Sequence, residues 1–262
     1  MTTDAIRYRV TNNVAWVVLD RPKTMNALDV EVAAALEGAI EKAADDDAVR
    51  AMVITGEGRA FCAGGDVVGF QDRMEHVTDY VDEIIGHLHG AIRRINELPF
   101  PVIAGVNGTA AGAGLSLMLA TDLAVATESA MFVMGYSGIG ATPDGSSTFF
   151  LPRIVGTRRA LELTLTNRPI NTTEALDWGL LNKILPDDEF AAGLIAYAEK
   201  LAAGPTKVYA AARRLIHDSH NNTLPVQLDN EHAVFRENTA NGDFREGVAA
   251  FAEKRKPVFK GS

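Results

Sequence analysis

Through the first half of this 262-residue chain, short β-branched runs alternate with amphipathic helical stretches. That alternation is the strongest constraint on its fold. A strand followed by a helix cannot fold straight back as a hairpin, so the next strand arrives by a crossover and lies parallel to the first. The pattern therefore predicts an α/β core on a mostly parallel sheet. The exception is at the start, where residues 8–10 and 14–19 read as strands joined by Asn12-Asn13, which tolerate the left-handed backbone of a hairpin turn. Asp29 then caps a helical pattern reaching about Ala44, with Val32, Leu36 and Ile40 on one face. Residues 51–55 read as a buried strand, and a long helix runs from about His76 to Leu98, stopped by Pro99 and Pro101. A strand over 101–106, a Gly/Ala-rich helix and a strand near 123–126 follow. From Ser146 onward the pattern is almost wholly helical, punctuated by Pro152, Pro169, Pro186 and Pro205. With no internal repeat or low-complexity linker, the change near residue 200 reads as passage from an α/β core (1–200) to a helical tail (201–262).

Charge narrows what such a core can bind. Twenty-five Lys and Arg stand against 34 Asp and Glu, a net charge of -9. A surface of that sign repels phosphate backbones and anionic membranes, so neither nucleic acid nor membrane is an expected partner. Cys62 is the only cysteine; an internal disulfide is impossible, which suits a reducing compartment. Residues 1–10 carry Asp4, Arg7 and Arg9 with no apolar stretch behind them, so no secretory signal is expected. The most apolar run, 109–120, falls short of the roughly 20 residues that span a bilayer. These features point to a cytoplasmic protein.

Several familiar signatures fail. No Gly-Lys-Ser/Thr exists for a phosphate loop, and Gly108, Gly112 and Gly114 lack the dinucleotide spacing. Gly135-Tyr136-Ser137-Gly138-Ile139 lacks the last glycine of a nucleophile elbow. His87 and His89, two apart on a helix, face different directions, so no metal site is expected. Two glycine-rich segments remain, 56–66 and 107–115, each following a strand. Free backbone N–H groups there can face a ligand, and two converging on one oxygen would form an oxyanion hole. Read singly, the glycines need only permit tight turns and close packing.

Seven motifs in order carry a resemblance. They are Arg21-Pro22-x-x-x-Asn26-Ala27-Leu28, Ala60-Phe61-Cys62-Ala63-Gly64-Gly65-Asp66, Pro101-Val102-Ile103-Ala104-Gly105-Val106-Asn107-Gly108 and Ala111-Gly112-Ala113-Gly114. Leu151-Pro152-Arg153-Ile154-Val155-Gly156, Ala175-x-x-Trp178-Gly179-Leu180 and Phe251-x-Glu253-Lys254-Arg255-x-Pro257-x-Phe259 complete the set. Across nearly its whole length the chain resembles the enoyl-CoA hydratase/isomerase (crotonase) superfamily. The resemblance implies a core of ββα spiral turns, a helical C-terminal trimerisation region, and a homotrimer or dimer of trimers. It implies an acyl-CoA substrate, with coenzyme A part of the thioester and no separate cofactor. The thioester oxygen would lie between the amides of Gly65 and Ala113, each donor supplying roughly 3–4 kcal/mol to an enolate-like transition state. Alanine at 113 departs from the family's usual glycine but keeps the N–H. By the same carry-over Lys23, Ala27, Leu28, Ala63 and Asp66 would bind CoA. Phe251 and Lys254 would reach a CoA, in many members that of a neighbouring subunit. A solvated basic patch at 254–256 is the other reading of Lys254.

The resemblance also bears on the reaction. A hydratase needs two glutamates to handle water, and those positions here are Ser116 and Tyr136. Asp144, in Thr142-Pro143-Asp144-Gly145-Ser146-Ser147-Thr148, reads by itself as a helix N-cap. Its segment resembles isomerase-type members, the 1,2-epoxyphenylacetyl-CoA and Δ3,Δ2-enoyl-CoA isomerases, where this aspartate faces the substrate. One carboxylate could take a proton from C2 and return it at C4. Asp144 as acid/base is therefore the leading expectation. His89 matches the histidine of the 4-chlorobenzoyl-CoA dehalogenase type, in which Asp144 would attack the ring and His89 would activate water. That type has tryptophan where Tyr136 stands. Tyr136 could donate to the substrate or to Asp144, or line the acyl pocket, the reading preferred here. A hydratase of another mechanism, or a CoA-binding module without activity, are the remaining alternatives. Phe70, Met74, Met134, Tyr136, Phe149 and Phe150 could line an apolar pocket, with room for a bulky acyl group beside Gly135, Ser137 and Gly138.

Overall fold

The computed structural model describes residues 5–261; Met1 to Asp4, part of the stretch read above for a signal, and Ser262 lie outside the described residues. The strands are β1 (Ile6–Thr11), β2 (Val14–Leu19), β3 (Ala51–Gly56), β4 (Ala60–Cys62), β5 (Val102–Val106), β6 (Thr109–Ala111), β7 (Leu123–Thr127), β8 (Met131–Val133), β9 (Ile170–Asn171) and β10 (Lys183–Leu185). The helices are α1 (Val30–Ala44), α2 (Val67–Asp72), α3 (Val77–Glu97), α4 (Ala113–Leu119), α5 (Ser147–Val155), α6 (Thr157–Thr166), α7 (Thr172–Asp177), α8 (Phe190–Ala202), α9 (Thr206–Ser219), α10 (Leu224–Asn238) and α11 (Gly242–Ala252).

A six-stranded sheet has the order β1-β2-β3-β5-β7-β10. β1 and β2 are antiparallel across Asn12 (φ 51°) and Asn13 (φ 61°); every other neighbouring pair in this sheet is parallel. The crossovers expected from the alternating pattern are α1, α3 and α4. Asp29 caps α1 through its side chain, which accepts from the Val32 N–H at 2.9 Å. Both faces of the sheet are covered, which is why its strands read as continuous apolar runs instead of alternating ones. Ala15, Val17, Met52, Ile54, Val102 and Ala104 turn to a large core shared with α1 and α3. Trp16, Val53, Ile103 and Val125 turn the other way, against Phe190, Leu194 and Ala198 of α8.

The second sheet, β4-β6-β8-β9, was not visible as strands in the sequence, because its members are two or three residues long. Each of β4, β6 and β8 follows a strand of the large sheet after a short corner, and helix follows it. Three strand–strand–helix turns therefore stack as a spiral, although no repeat exists in the residues themselves. The small sheet is parallel from β4 to β8, with Cys62 opposite Ala110 and Ala110 opposite Phe132. This is the crotonase spiral that the resemblance implied.

Two side-chain amides hold the corners together. The Asn107 carbonyl accepts from the Gly56 N–H (3.0 Å), while its amide donates to Gly58 O (2.9 Å) and Ala60 O (3.2 Å). Asn26, fully buried and in the left-handed region (φ 57°), accepts from Arg21 N–H at 2.9 Å. It donates to Ala60 O (2.8 Å), Glu57 O (3.0 Å) and Phe61 O (3.2 Å). It thereby fastens the segment before α1 alongside β4.

After β10 the chain is helical. Arg213 of α9 is nearly buried; its guanidinium donates to Leu98 O (2.6 Å), Ile95 O (2.7 Å) and the Asp122 carboxylate, docking α9 on the end of α3. Arg50 reaches Gly204 O (2.6 Å), Thr206 Oγ1 (3.0 Å) and Phe259 O (3.2 Å). α10 buries no residue within the chain. Among the described residues no helix is long and apolar enough to cross a membrane.

Asn26→Ala leaves backbone carbonyls without their donor and puts a Cβ-bearing residue of low left-handed tolerance at φ 57°. It is expected to lower unfolding stability by about 2–4 kcal/mol, read as a fall in the urea midpoint at unchanged slope.

Candidate active site

The three turns of the spiral bring their glycine-bearing loops to one edge, the carboxyl ends of β4, β6 and β8. Gly64 (φ 101°) and Gly112 (φ 51°) are in conformations closed to ordinary side chains, and they touch. A Cβ on Gly64 would stand 3.0 Å from Ala111 O and 3.5 Å from Gly112 Cα. With no side chains between them, the two loops approach at backbone contact, and the residue after each faces the same hollow.

Those residues are Gly65 and Ala113. Gly65 forms a parallel bridge with Leu28, whose N–H donates to Gly64 O (2.7 Å) and whose carbonyl accepts from Asp66 N–H (3.0 Å). In that pattern Leu28 bonds the residues either side of Gly65, so the N–H of Gly65 itself points away from this partner. Ala113 is the first residue of α4, where the backbone N–H has no intrahelical acceptor. Among the described residues neither amide donates a hydrogen bond to protein. The ring of Phe70 lies over Gly65 so closely that a Cβ there would be 2.9 Å from its Cζ.

Asp144 faces the same hollow. Its carboxylate does not cap α5: the α5 N-cap is Ser146, with no side-chain cap bond, and it is the backbone carbonyl of Asp144 that accepts from Ser147 N–H (3.2 Å) and Ser147 Oγ (2.9 Å). The carboxylate is thereby left for other work. Its Oδ1 accepts from the Tyr136 hydroxyl at 2.5 Å. Tyr136 is buried, and burial first, then the negative Asp144 beside it, push its phenol above the ordinary range, so it stays protonated and donates. Ser116 Oγ lies 2.8 Å from Tyr136 Oη.

A cavity of about 840 Å³ collects these groups. Of the site residues expected from sequence it brings together Ala63, Gly65, Ala113, Tyr136 and Asp144. Tyr136 both lines the cavity and donates to Asp144, two of the placements the sequence left open for it. Phe70 and Met74 line it as expected; Met134 is core, and Phe149 and Phe150 stack edge to face elsewhere, 5.0 Å between centroids. Of the small residues thought to leave room, Gly135 lines it and Ser137 and Gly138 do not.

The remaining site residues expected from sequence lie outside the cavity lining. His89 does not line the cavity; its Nε2 accepts from the Gly145 N–H at 3.3 Å, so its ring braces the turn after Asp144. His87, one face away, bonds Glu37 at 2.7 Å. Leu28 has a fully buried side chain, and its backbone N–H and carbonyl bond the residues either side of Gly65, so it supports that loop. Phe251 is 88% exposed and Lys254 also lies on the helical tail; neither reaches this chain's own cavity. Lys23 is exposed in the turn Pro22–Thr24, and Ala27 and Asp66 sit on the paired segments beside Gly65, outside the cavity lining.

The largest contribution that sequence reading missed is from α3. Val77, Val81, Ile84, Ile85 and Leu88 line one wall, and Ile139 and Ala141 close another. Their helical spacing was legible as an apolar stripe, but the same stripe continues into the core at Ile92 and Ile95, and periodicity cannot separate the two. Cys62 lies under the first turn of α4, its thiol pushed up to about 12 by burial, and it is inert.

Comparison with known proteins places the chain in a family. The enoyl-CoA hydratase/isomerase family pattern matches residues 9–262. A Rhodobacter capsulatus protein named probable enoyl-CoA hydratase is 39% identical over 262 residues, covering 100% of both chains. The 1,2-epoxyphenylacetyl-CoA isomerase of Escherichia coli is 36% identical over 256 residues, 96% of this chain and 97% of that one. The crystal structure of an enoyl-CoA hydratase from Polaromonas superposes with a TM-score of 0.92 at 36% identity, covering 97% and 99% of the two chains. The chain belongs to the enoyl-CoA hydratase/isomerase family.

Proposed function

We propose that this protein moves a carbon–carbon double bond within an acyl-CoA thioester, with Asp144 as the single acid/base. The observation that carries this reading is the cavity lining. Among the described residues Asp144 is the only carboxylate in that lining, and it shares the hollow with the amides of Gly65 and Ala113. Adding water across a double bond by the two-carboxylate route needs a second acidic group. Ser116 is 0% exposed and Tyr136 keeps its proton, so neither position supplies one.

The chemistry follows from these parts. The thioester oxygen accepts from Gly65 N–H and Ala113 N–H, which stabilises negative charge there more in the enolate than in the ground state. Asp144 removes the C2 proton and the electron pair delocalises into the carbonyl. The same carboxylic acid returns the proton at C4, leaving the double bond conjugated with the thioester. Nothing is added or lost, so one base suffices. Coenzyme A enters only as part of the substrate; Lys23, Ala27, Ala63 and Asp66 are placed on the segments beside Gly65, where they would hold it. Phe251 and Lys254 would serve the cavity of a second subunit in a trimer or dimer of trimers. The hydrolytic dehalogenase alternative is less well supported, because His89 spends its Nε2 on Gly145 and does not line the cavity.

Offered a 3-enoyl-CoA, the purified protein is expected to raise the ultraviolet absorbance of the conjugated thioester; offered a 2-enoyl-CoA, to leave that absorbance unchanged. A falling 2-enoyl signal would mean that water is added and that this reading is wrong. Asp144→Asn is expected to lower kcat by at least about 10²–10⁴-fold without weakening binding of a saturated acyl-CoA. Ala113→Pro removes one oxyanion donor at a helix position that accepts proline. It should cost about 10²–10³ in kcat with little change in melting temperature.

A further inference from the structure

Asp144 is held from several sides. Its carbonyl accepts from Ser147, its neighbour Gly145 is bonded by His89, and Gly145 (φ 55°) approaches so closely that a Cβ on it would be 2.8 Å from Ser116 Cβ. Ser116 is the least expected member. It is fully buried on α4, and nothing in the chemistry above uses it. Its hydroxyl has one hydrogen and three neighbours: Tyr136 Oη at 2.8 Å, Asp144 O at 3.0 Å and Gly112 O at 3.3 Å.

Donor counting decides where that hydrogen goes. Tyr136 has one hydrogen, and the Asp144 carboxylate can only accept, so Tyr136 gives its hydrogen to Oδ1. Tyr136 Oη is then left as an acceptor, and the Ser116 hydroxyl faces it at 2.8 Å. The two carbonyls are already served, Asp144 O by Ser147 and Gly112 O by Ser116 N–H at 3.0 Å. Tyr136 Oη is also the shortest of the three contacts, and the Ser116 hydrogen bond acts on the phenol as a donation to it, so the Ser116 hydrogen is directed to Tyr136. Hydrogen bonds aligned in one direction polarise one another, and a charged acceptor at the end strengthens each.

We propose that Ser116 and Tyr136 form a directed hydroxyl chain, Ser116 to Tyr136 to Asp144 Oδ1, that fixes the carboxylate so that Oδ2 alone meets the substrate. Ser116 is thus a positioning residue acting through Tyr136. Among the described residues Oδ2 has no protein partner, in keeping with its role as the atom that takes and returns the proton. The proposal rests on the reading of Asp144 as the base.

The test is a double-mutant cycle on isomerisation of a 3-enoyl-CoA, with kcat followed against pH. Two titratable groups reach the Asp144–Gly145 turn, Tyr136 directly and His89 through the Gly145 amide. His89 can no longer accept once protonated, so the cycle is run in a His89→Gln background, where an amide oxygen replaces the ring nitrogen. Tyr136→Phe is expected to lower kcat about ten- to a hundredfold, the size of one charge-assisted hydrogen bond, with KM little changed. It should also move the acid limb of the profile to higher pH by about one unit. Ser116→Ala shifts the limb in the same direction by less. In the Tyr136→Phe background, Ser116→Ala has no further effect, because the link between them is gone. A Ser116→Ala effect that persists undiminished in that background overturns the proposal, since Ser116 would then act on the Asp144 backbone. So does an acid limb that neither substitution moves. Melting temperatures and binding of a non-reactive thioether analogue check folding, and Ser116→Cys, of similar size with a weaker donor, repeats the measurement if the alanine variant is unstable. Full activity in Asp144→Asn would instead bring down the reading of the base itself, whereas loss of activity in that variant, together with an acid limb that stays put in Tyr136→Phe and Ser116→Ala, rejects the hydroxyl chain alone.

Discussion

The structure depends on backbone meeting backbone at the edge of the small sheet. Gly64 and Gly112 touch because neither has a side chain, and each adopts a conformation that a side chain disfavours. That contact lets strands of three residues stack in parallel and sets the amides of Gly65 and Ala113 facing one hollow. The stabilising energy comes from elsewhere: the large sheet is covered on both faces, and the two apolar clusters remove from water the side chains that dominate the folding free energy. The small sheet shares that core, with Phe61, Cys62, Ala110, Phe132 and Ile170 buried in the same cluster as the large sheet. Asn26 and Asn107 hold the corners, each satisfying several carbonyls and amides that would otherwise be left unpaired.

The opposite wall is organised by polar bonding. Asp144 stands before a helix, where aspartate usually caps, yet its backbone carbonyl takes the capping bonds and its carboxylate is left for Tyr136 and the cavity. The wall opposing it is apolar, from Phe70 and the amino-terminal half of α3. A single carboxylate in an apolar cavity beside two free amide donors suits a reaction that develops charge on one oxygen and moves one proton.

Much of this was legible in the residues. The alternating strands and helices, the Asn12-Asn13 hairpin, the Asp29 cap and the long third helix are all where local chemistry places them, because each is settled by neighbours in sequence. The strands β4, β6 and β8 were not legible, since three residues carry no periodicity and their pairing partners lie tens of residues away. His89 could be assigned to a helix but not to a side of it, and its ring turned to Gly145. Leu28 could be placed beside the glycine loop, though not known to be sealed beneath it.

The sequence by itself determined the family, the parallel α/β core and the two glycine loops. These depend on residue type and order. Only the tertiary structure decided which atoms face the cavity: that Asp144 presents its carboxylate, that Tyr136 is both wall and donor, and that α3 divides its apolar stripe between pocket and core. The physical reason is that a side chain's direction and the partner of its last hydrogen are set by contacts between segments far apart in the chain. Ser116 shows the difference most plainly. In sequence it is a serine where a glutamate would serve a hydratase; in the fold it is a buried donor with one hydrogen, whose shortest contact is the Tyr136 oxygen.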